Sequence, residues 1–214
     1  MEALINRVHN IVDQCWSSFS AKVGGELLVL NKEASMQLNF AYLLKNAMDL
    51  VIYHKGESVG IELETSIKVN NHHRNCDIVI NIQKDGERVF LPIEMKYYKE
   101  YASSGGKRGA LDIFVKDVYF DLELLESYSK LNAYLNGIQL TMTDLKRVIY
   151  PSNKDGKYWT YDISNGAKIK AGTNYTTPIG GHNIDITLNK NYKFDWKNVG
   201  RFYFVKLEGK NYGL

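Results

Sequence analysis

Between Arg74 and Tyr98 the chain alternates apolar and polar residues twice. Cys76, Ile78, Ile80 and Ile82 alternate with Asp77, Val79 and Asn81, and then Val89, Leu91, Ile93, Met95 and Tyr97 alternate with Phe90, Pro92, Glu94 and Lys96. A period of two on either side of a turn predicts a pair of strands. Between them lies Asp85-Gly86, suited to a two-residue type I′ turn whose central residues both need positive φ. That turn fixes a register in which Lys84 opposes Glu87, Ile82 opposes Val89 and Asp77 opposes Glu94. Two carboxylates then share one face with Cβ atoms roughly 4.5–5.5 Å apart, and like charges so placed destabilise a sheet. Lys96, two residues beyond Glu94, shares the face and offsets part of the repulsion. A divalent cation held by both acids would offset more, and hard cations such as magnesium take such oxygen ligands. A slip of one residue would send Asp77 to the other face.

Helical periodicity marks the rest of the chain. Residues 2–22 place Leu4, Ile5, Val8, Ile11, Val12, Cys15, Trp16 and Phe19 on one stripe, a core face or a dimer seam. Residues 31–48 predict a second helix, with Asn31 as N-cap and Glu33 in its first turn. Its apolar residues lie on most sides, so it is expected to be largely buried, and Gln37 falls one turn after Glu33. A strand is expected over 58–67, followed by a polar loop containing His72, His73 and Arg74, where two histidines could bind metal or phosphate but are more often simply solvated. Residues 99–109, rich in Ser and Gly, read as a flexible loop in which Lys107 and Arg108 could engage phosphates. Residues 110–136 predict a long helix with Phe114, Val115, Val118, Leu122 and Leu125 inside and with Asp117 and Asp121 solvated. Gly137 ends it, a strand follows at Ile138–Thr143, and Leu145–Tyr150 is a further apolar stretch. The last sixty-odd residues suggest strands at 158–163, 183–188 and 201–207. Trp159, Tyr161, Tyr175 and Trp196 could stack on bases, although aromatics in strands more often pack.

Composition changes this picture little. The 214 residues suffice for one domain, 1–214, read as an N-terminal helical extension (1–30), a core (31–150) and a β-rich part completing the sheet (151–214). At 44% hydrophobic and 24% charged it is ordinary for a globular chain. The net charge of +3 permits nucleic acid as a partner without arguing for it. Two cysteines in apolar stripes, no long apolar run and no signal-like N-terminus suggest a cytoplasmic protein without membrane attachment.

The spacing [DE]-x-K is by itself nearly uninformative. It occurs at Glu94/Lys96, Asp144/Lys146, Asp155/Lys157, Asp195/Lys197 and Glu208/Lys210. Only the first lies in a strongly alternating strand with a second acid set opposite by a hairpin. That acid, sixteen residues, and then Glu94-x-Lys96, within the order helix, strand, strand, strand, helix, strand, resembles the PD-(D/E)XK nuclease superfamily over roughly residues 31–144. The proline that names the motif is absent, since Cys76 precedes Asp77.

The resemblance implies an α/β restriction-endonuclease-like core, a mixed sheet flanked by helices, and metal-assisted hydrolysis of phosphodiesters. Asp77, Glu94 and Lys96 match the strand acids and lysine, Glu33 the acid many members carry on the first core helix, and Gln37 a polar accessory position. Glu26, Glu62 and Glu64 compete with Glu33 as the third acid. Asp77, Glu94, Glu33 and the Met95 carbonyl are the expected ligands of Mg2+ or Mn2+. Lys96 would orient or help deprotonate a water. The implied partner is nucleic acid, DNA favoured, contacted by Arg74, Lys107 and Arg108, and a homodimer is compatible. The alternative is a module on the same fold that binds nucleic acid or protein without cutting.

Overall fold

The computed structural model describes residues 1–101 and 105–211; residues 102–104, inside the expected Ser/Gly loop, lie outside that range. Helix α1 (Glu2–Gly24) and helix α2 (Glu33–Ala47) come first. Strands β1 (Glu57–Val69), β2 (His72–Lys84) and β3 (Glu87–Tyr98) form a meander, helix α3 (Leu111–Tyr128) crosses over, and β4 (Ile138–Thr143) follows. A short helix α4 (Lys146–Ile149) leads into small ribbon strands β5 (Lys168–Ile169), β6 (Thr173–Tyr175), β7 (Ile186–Leu188) and β8 (Tyr192–Lys193). Strands β9 (Lys197–Val199) and β10 (Phe202–Glu208) close the chain. The fold is mixed α/β. Its six-stranded sheet has the order β1-β2-β3-β4-β10-β9. Among its described strands only β3 and β4 pair in parallel, as a crossover through a helix requires.

The Asp85-Gly86 turn forms as its residues demand, both at positive φ (51° and 89°). It sets Lys84 opposite Glu87 and Ile82 opposite Val89, the register expected from the hairpin. Alternation then sorts the sheet into two layers. Ile78, Ile80, Ile82, Ile93, Met95, Tyr97, Leu140 and Phe204 pack under α1 and α2, where Trp16 meets Phe19, Phe40 and Phe204 at ring separations of 5.5–5.7 Å. Tyr98, Tyr203 and Val205 pack on the α3 side.

Several expectations fail locally. The stripe of α1 is consumed by this core, so it is no free dimer seam. Asn31 is not the N-cap of α2; Lys32 is, because the Ser35 hydroxyl accepts the N–H groups of Asn31 and Lys32 at 3.1 Å. Leu38 and Tyr42 on α2 are exposed rather than buried. Helix α3 stops at Tyr128, eight residues short of 136. Ala133, at φ 67°, turns the chain so that its carbonyl accepts the Phe90 N–H at 2.8 Å. The stretch around His72 and His73 is strand: Asn70 and Asn71 make a two-residue turn with positive φ at both (48° and 65°). Residues 157–161 are a 3₁₀ helix, not a strand. Tyr161 and Trp196 are core residues, and the half-buried Tyr175 packs edge-on against Tyr119 at 4.8 Å, so packing rather than base stacking occupies them. Cys15 and Cys76 are free and buried. Among the described residues, no helix is long and apolar enough to cross a membrane.

Candidate active site

The site lies where β2 and β3 part. Their ladder runs from the turn to the pair Ile78–Ile93 and stops at the next position, Asp77 opposite Glu94. From Ile93 onward β3 pairs with β4 instead. The lost ladder bonds leave backbone donors that must be satisfied. The Asp77 carboxylate accepts the Met95 N–H at 2.6 Å, and the Asp77 N–H in turn favours the charged form of Glu94.

The same point distorts β1. Glu64 stands opposite Asp77, the pair is missing from an otherwise continuous ladder, and Glu64 has φ 50°. A left-handed residue inside a strand reverses the alternation. Ile61 and Ile78 face the α1/α2 layer, whereas Ile67 and Cys76, of the same parity, pack with Val79, Leu125 and Tyr128 under α3. Cys76 therefore leaves the face it was expected to share with Ile78. Left-handed backbone costs an L-residue about 1–2 kcal/mol, and such strain persists where surroundings over-determine it. Here Gln37 supplies the constraint, donating to Glu64 Oε1 at 2.8 Å and to the Asp77 carbonyl at 2.7 Å.

Helix α2 brings Glu33 into the opening. Its carboxylate accepts the Tyr97 N–H at 3.0 Å and lies 3.5 Å from Lys96 Nζ. Of the competing acids, Glu64 joins the group through Gln37. From the other side α3 delivers Asp121, 3.2 Å from Lys96 Nζ, and Tyr128, whose hydroxyl donates to Glu94 Oε1 at 3.3 Å. Asp121, expected in solvent, is buried at 5% exposure. Neighbouring Gln139 donates to the Val118 carbonyl at 2.9 Å and to Asp121 at 3.5 Å.

The electrostatics are those of a site with too much negative charge. Burial, then Glu33 and Glu64, lift the Asp77 carboxyl to about 6 against the pull of the Met95 N–H. Burial, then the charges of Asp121 and Asp77, hold Glu94 well above the carboxylate range. Burial also raises Asp121 to about 7 although Lys96 opposes it. For Lys96, burial works against the ammonium, but Asp121 and Glu33 outweigh it and the net shift is upward. The ammonium therefore stays charged.

A divalent cation fits this chemistry. The donors are oxygens, the acids are short of positive charge, and two buried atoms on the adjoining strand, Gln139 Oε1 and Thr141 Oγ1, have no partner. As placed, Asp77, Glu94 and Glu33 turn to Met95 N–H, Tyr128 hydroxyl and Tyr97 N–H. Among the described residues no three His, Cys, Asp or Glu side chains converge as the ligands of one ion do. Side-chain rotation would have to bring them together.

The outlying candidates go elsewhere. Lys107 pairs with Glu100 at 3.7 Å, and Arg108 lies over the Tyr98 ring at 5.5 Å. Arg74 sits over Phe120 at 5.6 Å, beside a cleft of about 350 Å3 between the β1–β2 hairpin and α3 that is lined by Glu123, Glu126 and Asp185 and by none of Asp77, Glu94, Glu33 or Asp121. Compared with family models, curated proteins and solved structures, the chain matches none of them.

Proposed function

We propose that this protein is a metal-dependent phosphodiester hydrolase, a DNA endonuclease of the restriction, defence or repair kind, built on a restriction-endonuclease-like core. The run α2, β1, β2, β3, α3, β4 has the element order of that core. The observation that carries the reading is the grouping of Asp77, Glu94, Glu33 and Lys96 where β2 and β3 separate.

A divalent cation, magnesium or manganese, held by Asp77 and Glu94 with Glu33 and the Met95 carbonyl completing its shell, would supply a bound water of lowered pKa and charge stabilisation at the phosphate. The protein's own groups do the rest. Lys96, kept protonated by Asp121 and Glu33, would present a fixed positive charge to the phosphate. It stabilises developing charge and orients the attacking water without removing its proton. Gln37 fixes the edge of the site by clamping Glu64 to the Asp77 backbone. The internal partners of Asp77, Glu94 and Glu33 also fit a module that grips nucleic acid without cutting, and cleavage separates the two.

Supercoiled plasmid incubated with the purified protein should be nicked or linearised in magnesium and remain intact in EDTA. Glu94→Gln should abolish the reaction while thermal unfolding stays cooperative. Wild-type cleavage persisting in that variant, or in EDTA, would refute the reading.

A further inference from the structure

From Thr65 to Cys76 the chain carries no Asp or Glu, although the protein has 24. The same stretch carries Lys68, Arg74, His72, His73 and three asparagines. It is also where the sheet thins to two strands: β3 leaves β2 after Ile78, whereas β1 and β2 stay paired out to Val69–His72. The result is a two-stranded ribbon. One side buries Ile67, Val69 and Cys76 against Leu125 and Tyr128 of α3, which anchors it, and also carries His72 and Arg74, which share a cleft with Glu123, Glu126 and Asp185. The other side presents Ser66 opposite Asn75 and Lys68 opposite His73, all exposed, with Ser66 Oγ 3.1 Å from His73 Nδ1. The ribbon springs from Glu64 and Asp77 at the candidate active site.

We infer that this ribbon is the arm by which the protein grips duplex DNA, its Ser66–Lys68–His73–Asn75 side entering the major groove; the inference rests on the hydrolase reading and specifies its substrate. Four features support it. The side formed by Ser66, Lys68, His73 and Asn75 has no carboxylate of its own and carries the Lys68 ammonium, and a lysine bound to a phosphate releases counterions. The major groove of B-form DNA, about 12 Å wide, admits a two-stranded ribbon, whereas the deep, narrow groove of A-form RNA does not. Asn, Ser, His and Lys side chains can hydrogen-bond base edges or phosphates. At about 3.3 Å per residue the arm reaches roughly 13 Å beyond the acids, so groove and backbone of one duplex can be engaged together.

The test is fluorescence anisotropy of labelled duplex DNA and of duplex RNA of equal length, in EDTA, with the full chain. Lys68→Ala combined with His73→Ala should weaken DNA binding at least tenfold. Lys22→Ala combined with Lys45→Ala, exposed positions on α1 and α2, should leave it within twofold. Wild type should prefer DNA to RNA. The inference is overturned by unchanged DNA affinity in the ribbon variant, by equal loss in the control pair, or by preference for RNA. If that occurs while wild type still cuts plasmid in magnesium, the hydrolase reading survives. A wild type that neither binds nor cuts overturns both. Thermal midpoints of the two variants should match wild type; if the ribbon variant unfolds, Lys68→Gln with His73→Gln replaces it under the same criteria.

Discussion

The carboxylate of Asp121 lies 3.2 Å from the ammonium of Lys96, inside the protein, on the face of β3 that also carries Glu94. Removing one partner of a buried ion pair strands the other. Lys96, flanked also by Glu33, is held by two acids from helices on opposite faces of the sheet.

Lys96→Met should lower the rate of plasmid cleavage about 10²–10³-fold, the usual effect of losing one preorganised group that stabilises transition-state charge. Single-turnover cleavage at saturating protein isolates this from binding. A loss below threefold would show that Lys96 does not act on the phosphate.

Asp121 makes stability pH-dependent. Its folded pKa of about 7 lies above the ordinary aspartate value of 3.8, so between those pH values the folded state binds more protons than the unfolded one. Stability from this group is present at low pH and is lost as pH rises toward 7. Urea denaturation in EDTA should show wild type losing stability relative to Asp121→Asn between about pH 4 and 7. A relative gain over that window would contradict the burial-driven shift.

The left-handed Glu64 gives a test of backbone strain. Glu64→Gly and Glu64→Ala both remove the contact to Gln37, so their difference isolates the backbone. The glycine variant should be the more stable by about 1 kcal/mol. Equal stabilities by chemical denaturation would argue against a positive φ there.

Phe40 is fully buried among Trp16 and Phe19. Phe40→Ala should cost about 3–5 kcal/mol of unfolding free energy. A cost under 1 kcal/mol would mean that α1 and α2 do not share the core described.

Much of this arrangement is legible in the sequence because period-two alternation and an Asp-Gly turn are local signals. They give β2, β3 and their register as far as Ile78 and Ile93, but not the parting of the strands at the next position, where Asp77 and Glu94 turn to separate partners. Strand β10 is legible for the same reason. Glu64 is not: nothing in Glu-Leu-Glu-Thr announces a left-handed residue, because the cause is a clamp from Gln37 on another element. Asp121 is a different case. Phe114, Val118, Asp121, Leu125 and Tyr128 follow the spacing of one buried helical stripe, so an acid there signals a buried partner; counting only apolar residues hides it. The ends of α2 and α3 are set by the Ser35 hydroxyl and by pairing of Phe90 with Ala133, contacts that helix periodicity does not report.

The hydrolase reading requires the acids at the parting of β2 and β3 to share a cation. Calorimetric titration of manganese into metal-free protein measures this. Saturable binding by wild type, weakened at least tenfold in Glu94→Gln, is the predicted result. No binding by the wild type, or equal binding by both, would contradict it.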